Sequence, residues 1–164
     1  MDDMIIVAGL IELMLNYHKQ GLAVLLGRVR PPRGRAVHDM ISALYSSEAC
    51  KGLDGGYGDR SSFADKVIAD NERLSAAVEL AGGWPNIYDA ARRSIRADGL
   101  TWRLVSDYLG CIGTCSVRHK SRLGLLAAKY KMTVREVINR RNRFAHDLAA
   151  LILNTKEGAY NSEE

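Results

Sequence analysis

The chain has 164 residues, of which 47% are hydrophobic and 26% charged, with a formal net charge of +4. The apolar share is enough for a core and excludes wholesale disorder. Three cysteines (Cys50, Cys111 and Cys115) are too few, and odd in number, for a secreted disulfide framework, so a reducing cytoplasm is the expected setting.

Residues 1–27 form a first, apolar segment. Ile6, Leu10, Leu13, Met14 and Tyr17, then Leu22, Leu25 and Leu26, recur at helical spacing, with Gly21 as a break between two helices. Glu12, His18 and Lys19 interrupt the run, and Asp2 and Asp3 stand where a signal peptide carries cations. Neither a leader nor a membrane span is expected. Such a face must bury itself, against the rest of the chain or against a second copy in a homodimer.

Residues 28–60 hold a basic arm, a short helix and a glycine-rich loop. Pro31, Pro32 and Gly34 forbid a helix through Arg28–Arg35, so an extended arm is expected there. A helix from Val37 to about Ser46 follows. The loop at 52–59 has neither a preceding strand nor a Gly-Lys-Ser/Thr ending, which excludes a phosphate-cradling role.

Residues 61–154 read as a helical domain, with 155–164 as a flexible tail. One helix starts at Ser61 or Ser62 and runs to about Leu80, with Val67, Leu74, Ala77, Val78 and Ala81 on its buried face. Gly82-Gly83 ends it. The next follows Trp84-Pro85, carries Ile87, Ala90, Ala91 and Ile95 inward, and stops at Asp98-Gly99. No strand-length alternation stands out, so the fold class is all-α.

From Thr101 to His146 ten lysines and arginines face two acids, Asp107 and Glu136, which leaves the rest of the chain net negative. That asymmetry points to an anionic partner. The same stretch has the grammar of a helix-turn-helix. Thr101 can cap a short helix packed through Leu104, Val105 and Tyr108 or Leu109, and Gly110 opens the turn. Thr114 can cap a second helix, from Cys115 to about Tyr130, packed by Val117, Leu125 and Leu126. Ser116, Arg118, His119, Lys120 and Arg122 then lie near its outward N-terminal side, where a recognition helix meets base edges and phosphates. Arg103 adds a further cation.

A second register overlaps it. Ala127, Lys131 and Val137 keep the alanine-to-valine spacing of the motif, with lysine where glycine is usual in the turn. Thr133 caps the following helix, which runs to about Asn154, and Arg135, Asn139 and Arg140 become the readers. Both registers remain open at this point.

The residues ADGLTWRLVSDYLG and SVRHKSRLGLLAAKY resemble the sigma-region-4-like helix-turn-helix of phage and prophage transcription regulators, including late-gene antiterminators. The resemblance covers about a quarter of the chain, and the turn in that register is about one residue longer than usual. It implies sequence-specific binding of double-stranded DNA and, for an antiterminator, contact with RNA polymerase. Pro32-Arg33-Gly34-Arg35 resembles the core of an AT-hook, which lays two arginines into a narrow minor groove, although Ala36 replaces the expected proline.

Arg141-Asn142-Arg143-Phe144-Ala145-His146 resembles the Arg-Asn-x-x-x-His motif of HEPN domains, many of them metal-independent ribonucleases. The resemblance implies RNA as substrate and Arg141, Asn142 and His146 as the site, with histidine as general acid or base and arginine on phosphate charge. Yet Arg141 shares a stripe with Val134, Val137, Ile138, Ala145, Leu148 and Ile152, which turns it toward a buried or interfacial side. A helical assembly protein with an incidental basic face is the third reading. Cys111, Cys115 and His119 are spaced by four but lack an obvious fourth ligand, so they read as free side chains, and no metal or cofactor is expected.

Overall fold

A computed structural model describes residues 2–16, 21–45, 62–110 and 116–161, with the side chains at 44–45, 110, 116–122 and 159–161 left out. The described residues are all-α, with eight helices and no strand. In chain order they are α1 (Asp3–Leu15), α2 (Gly21–Leu25), α3 (Arg35–Tyr45), α4 (Phe63–Leu80), α5 (Trp84–Ala97), α6 (Gly99–Gly110), α7 (Ser116–Lys129) and α8 (Val134–Asn161). None of them is long and apolar enough to cross a membrane.

The apolar first helix is core, as the spacing of its side chains requires. Val7, Leu10, Ile11, Met14 and Leu15 are buried, and α1 packs along α8 and α4. Ile5 is left exposed. The backbone of α2 comes so close to α1 that a Cβ on Gly21 would lie 2.1 Å from the Met14 carbonyl oxygen. Gly21 is thus more than a break: no other residue fits this crossing.

The arm is shorter than expected. Only residues 30–33 run without helix, turn or bend, and Pro32 is buried. Asn71 of α4 accepts a hydrogen bond from the Gly34 amide and donates one to the Gly34 carbonyl, each at 3.1 Å. Arg35 is the first residue of α3, contrary to the extended form expected for it. Glycine's tolerance of positive φ (60° at Gly34) lets the chain enter α3 at that point.

Ser62 caps α4 by accepting from the Asp65 amide at 3.2 Å. The Gly82 and Gly83 amides close its other end on the Glu79 and Val78 carbonyls. Asp70, 7% exposed, is the buried charge of the described residues. It meets Nδ1 of His38 at 2.6 Å and thereby ties α4 to α3. Burial of a carboxylate demands such a partner.

In α6, Leu104 and Val105 are buried as expected, but so is Trp102. Its indole N–H donates to Ser94 at 2.8 Å, and its ring meets Phe144 of α8 edge-on at 5.0 Å. The α6 cap is Asp98 rather than Thr101: Asp98 accepts from the Thr101 amide and hydroxyl at 3.2 and 2.6 Å. In α7 the expectation for Leu125 is overturned. It is 69% exposed, while Leu123, Leu126 and Ala127 are buried. Leu123, Leu126 and Ala127 share an i, i+3, i+4 stripe, and a helix cannot turn both that stripe and Leu125 inward.

The last helix outruns its expected end at Asn154 and continues to Asn161, so most of the expected tail is helix. The Lys156 ammonium donates to the Leu80 carbonyl at 2.9 Å, tying this extension to the end of α4.

Candidate nucleic-acid interface

The turn between α7 and α8 is built residue by residue from the sequence around Lys131. The Lys131 amide bonds the Ala128 carbonyl at 3.3 Å and the Met132 amide bonds the Ala127 carbonyl at 3.0 Å. This is a Schellman closure, and it needs a left-handed residue between them. Lys131 takes that role with φ 52°, among the described residues the one non-glycine at positive φ. Thr133 and Glu136 then form a reciprocal capping box: the Glu136 amide donates to the Thr133 hydroxyl at 3.2 Å, and the Thr133 amide donates to the Glu136 carboxylate at 3.0 Å. Ala127 and Val137, one on each side of this turn, are both buried in the core.

Beyond the turn, Arg135, Asn139, Arg140, Asn142, Arg143 and His146 of α8 are all exposed. Arg140 reaches the Thr101 hydroxyl at 3.4 Å, which brings it to the corner between α5 and α6. Its charge also helps to hold the Asp98 carboxyl below its ordinary value, after the hydrogen bond from Thr101. Arg103 is exposed on α6.

The two acids of the basic stretch are both engaged internally. Glu136 serves the capping box. Asp107 accepts from the Tyr130 hydroxyl at 2.6 Å and from the Lys129 ammonium at 2.9 Å, joining α6 to the end of α7. Burial pushes the Asp107 carboxyl up, but these hydrogen bonds and the lysine charge outweigh it and leave it below the ordinary value. Burial, then the bond to Asp107, pushes Tyr130 up to about 12.

Arg141 is turned inward, as its position on the apolar stripe predicts. It donates to both carboxylate oxygens of Glu12 on α1, at 2.8 and 3.0 Å, and its guanidinium lies 5.8 Å from the Tyr108 ring centre. Its side chain is 12% exposed, and the bond to Glu12, ahead of the opposing effect of burial, raises its pKa further. His146 stands five residues on in the same unbroken helix, about 140° around it, and faces solvent. The structure therefore does not bring Arg141 and His146 together on one face.

In the arm, Arg33 is exposed beside an open groove of about 1160 Å³ that Trp84, Tyr88 and Lys156 also line. Arg35 is exposed, 3.8 Å from Asp39 and stacked 5.6 Å from the Phe63 ring centre. Ser116, Arg118, His119, Lys120 and Arg122 lie on the first turns of α7, with side chains outside the description. Thr114, the three cysteines and the glycine-rich loop also lie outside the described residues. Among the described residues no cluster could hold a metal ion.

Sequence reasoning missed the partner of Arg141. Glu12, the one charge in the apolar run from Met4 to Leu15, was the available signal for it. It also missed the arginines of α5, Arg92, Arg93 and Arg96, all exposed. Comparison with protein-family models, curated proteins and solved structures finds no match for this chain.

Proposed function

We propose that the chain is a sequence-specific, double-stranded-DNA-binding regulator of transcription, with α7 and α8 as its helix-turn-helix and α8 as the reading helix. The observation that carries this reading is the turn. Ala127 is buried, Lys131 is left-handed four residues later, and Val137 is buried six residues after that. The motif needs those three conditions to set one helix across another. The turn is followed by exposed Arg135, Asn139, Arg140 and Arg143, while Asp107 and Glu136 are held by internal bonds.

Arginine can bridge two acceptors on guanine, and asparagine can bridge the donor and acceptor of adenine. Arg135 and Asn139, one turn apart on the exposed start of α8, are suited to base edges. Arg103, Arg140 and Arg143 are suited to phosphate. In a phage setting such a protein would regulate late genes, as an activator or as an antiterminator acting with RNA polymerase. This reading is favoured over RNA cleavage because both terminal nitrogens of Arg141 already serve Glu12.

Selection of duplexes from a random pool, followed by binding of variants to the selected site, tests the reading. Arg135→Ala and Asn139→Ala should each lose about 5- to 150-fold against the selected site, because a bidentate pair carries about 1–3 kcal/mol. If instead Arg118→Ala and Arg122→Ala carry the loss of discrimination, α7 is the reading helix. A wild-type protein that enriches no duplex contradicts the reading.

A further inference from the structure

We infer that Arg93 and Arg96 on α5 form a second contact, to the phosphate backbone of the same duplex, outside the stretch that α8 reads. The inference rests on the reading of α8 as the DNA-facing helix.

The packing of α5 on α8 places these arginines. The Asn86 side chain, near the start of α5, donates to the Ile152 carbonyl of α8 at 3.1 Å. Thr101, just beyond the end of α5, meets Arg140. The two helices therefore run antiparallel. Arg93 lies seven residues after Asn86, two turns along the same stripe of α5. An equal retreat along α8 from Ile152 reaches Ala145, beside Arg143 and His146. Arg96 lies one turn further along α5, two residues before Asp98, whose partner Thr101 meets Arg140. Exposed cations thus stand on both helices toward the end where α5 meets Arg140.

Little acid offsets them. Asp89 lies 3.5 Å from Arg92, and Asp98 is bonded to Thr101 beside Arg140. Asp147 of α8 is an exposed carboxylate as well. Arg93 and Arg96 are exposed and have no salt-bridge partner among the described residues. Like charges at i, i+3 repel, although Arg96 also favours the negative end of its helix. A phosphate backbone relieves the repulsion. Arginines that flank a reading helix meet the rim of the groove, where phosphates lie, rather than base edges.

The test is fluorescence anisotropy of a selected duplex and of its scrambled version, across a range of salt concentrations. The Arg93→Ala/Arg96→Ala double variant should flatten the slope of log K against log salt by about 1.8, the share of two phosphates. It should weaken both duplexes by the same factor and leave their ratio unchanged. Arg92→Ala, whose side chain already faces Asp89, should move the slope less, and Arg93→Lys/Arg96→Lys should restore it. An unchanged slope in the double alanine variant, with wild type binding normally, overturns this inference alone. A wild type that binds neither duplex overturns it together with the reading it rests on.

Discussion

Arg141 of α8 grips Glu12 of α1 through both terminal nitrogens, across 129 residues of sequence. The contact fixes the first helix to the last and removes that guanidinium from the surface. Arg141→Ala should cost about 2 kcal/mol in urea unfolding, below the figure for a fully buried pair because Glu12 is 36% exposed. His146→Ala, on the exposed face, should stay within about 0.5 kcal/mol of wild type. Equal losses from the two substitutions would contradict this placement.

Gly21 should tolerate no side chain. In Gly21→Ala the new Cβ meets the Met14 carbonyl at 2.1 Å, so α1 and α2 must separate and open the core around Val24 and Leu25. A loss of about 3 kcal/mol, or failure to accumulate folded protein, is expected. Gly9→Ala, where a Cβ meets nothing within 4 Å, is the control and should fold normally.

Lys131→Gly should stabilise the fold by about 0.5–1 kcal/mol. Lysine at φ 52° carries the left-handed penalty that glycine avoids, and only part of that gain is lost to the freer unfolded chain. A thermal midpoint below wild type would show that the turn is not held as described.

The Tyr130–Asp107 bond gives stability a pH signature at the alkaline end. The folded Tyr130 hydroxyl titrates at about 12, against an ordinary 10.0. A raised folded value contributes stability that is fully present below the ordinary one and is lost as pH rises through the folded one. Wild type should therefore weaken between pH 10 and about 12 relative to Tyr130→Phe, when urea midpoints are compared across that window. Parallel curves for the two proteins would contradict the bond.

Local rules written in single residues were legible in the sequence. The Ser62 cap, the glycine stop after Leu80, the break at Gly21 and the Thr133 cap each depend on neighbours within a few positions. The inward turn of Arg141 was legible too, from the apolar stripe it interrupts. What escaped depends on tertiary partners. Leu126 faces inward as expected, but nothing near Leu125 says that Leu123 takes its place beside it. Asn71, which pins Gly34, and Asp70, which meets His38, act across more than thirty residues. The extension of α8 to Asn161 is supported by a carbonyl at Leu80. The choice of register was open in sequence because lysine stood at a glycine position. The left-handed backbone at Lys131 is what favours the second one.

The most direct measurement of the central claim is the binding of a pool-selected duplex by wild type and by the Arg135→Ala/Asn139→Ala double variant, each against a scrambled duplex. The account predicts salt-sensitive binding of both duplexes by wild type, with a preference for the selected one that the double variant loses while its residual, sequence-independent binding remains. A preference unchanged in the double variant, or a wild type that binds no duplex at low salt, would contradict it.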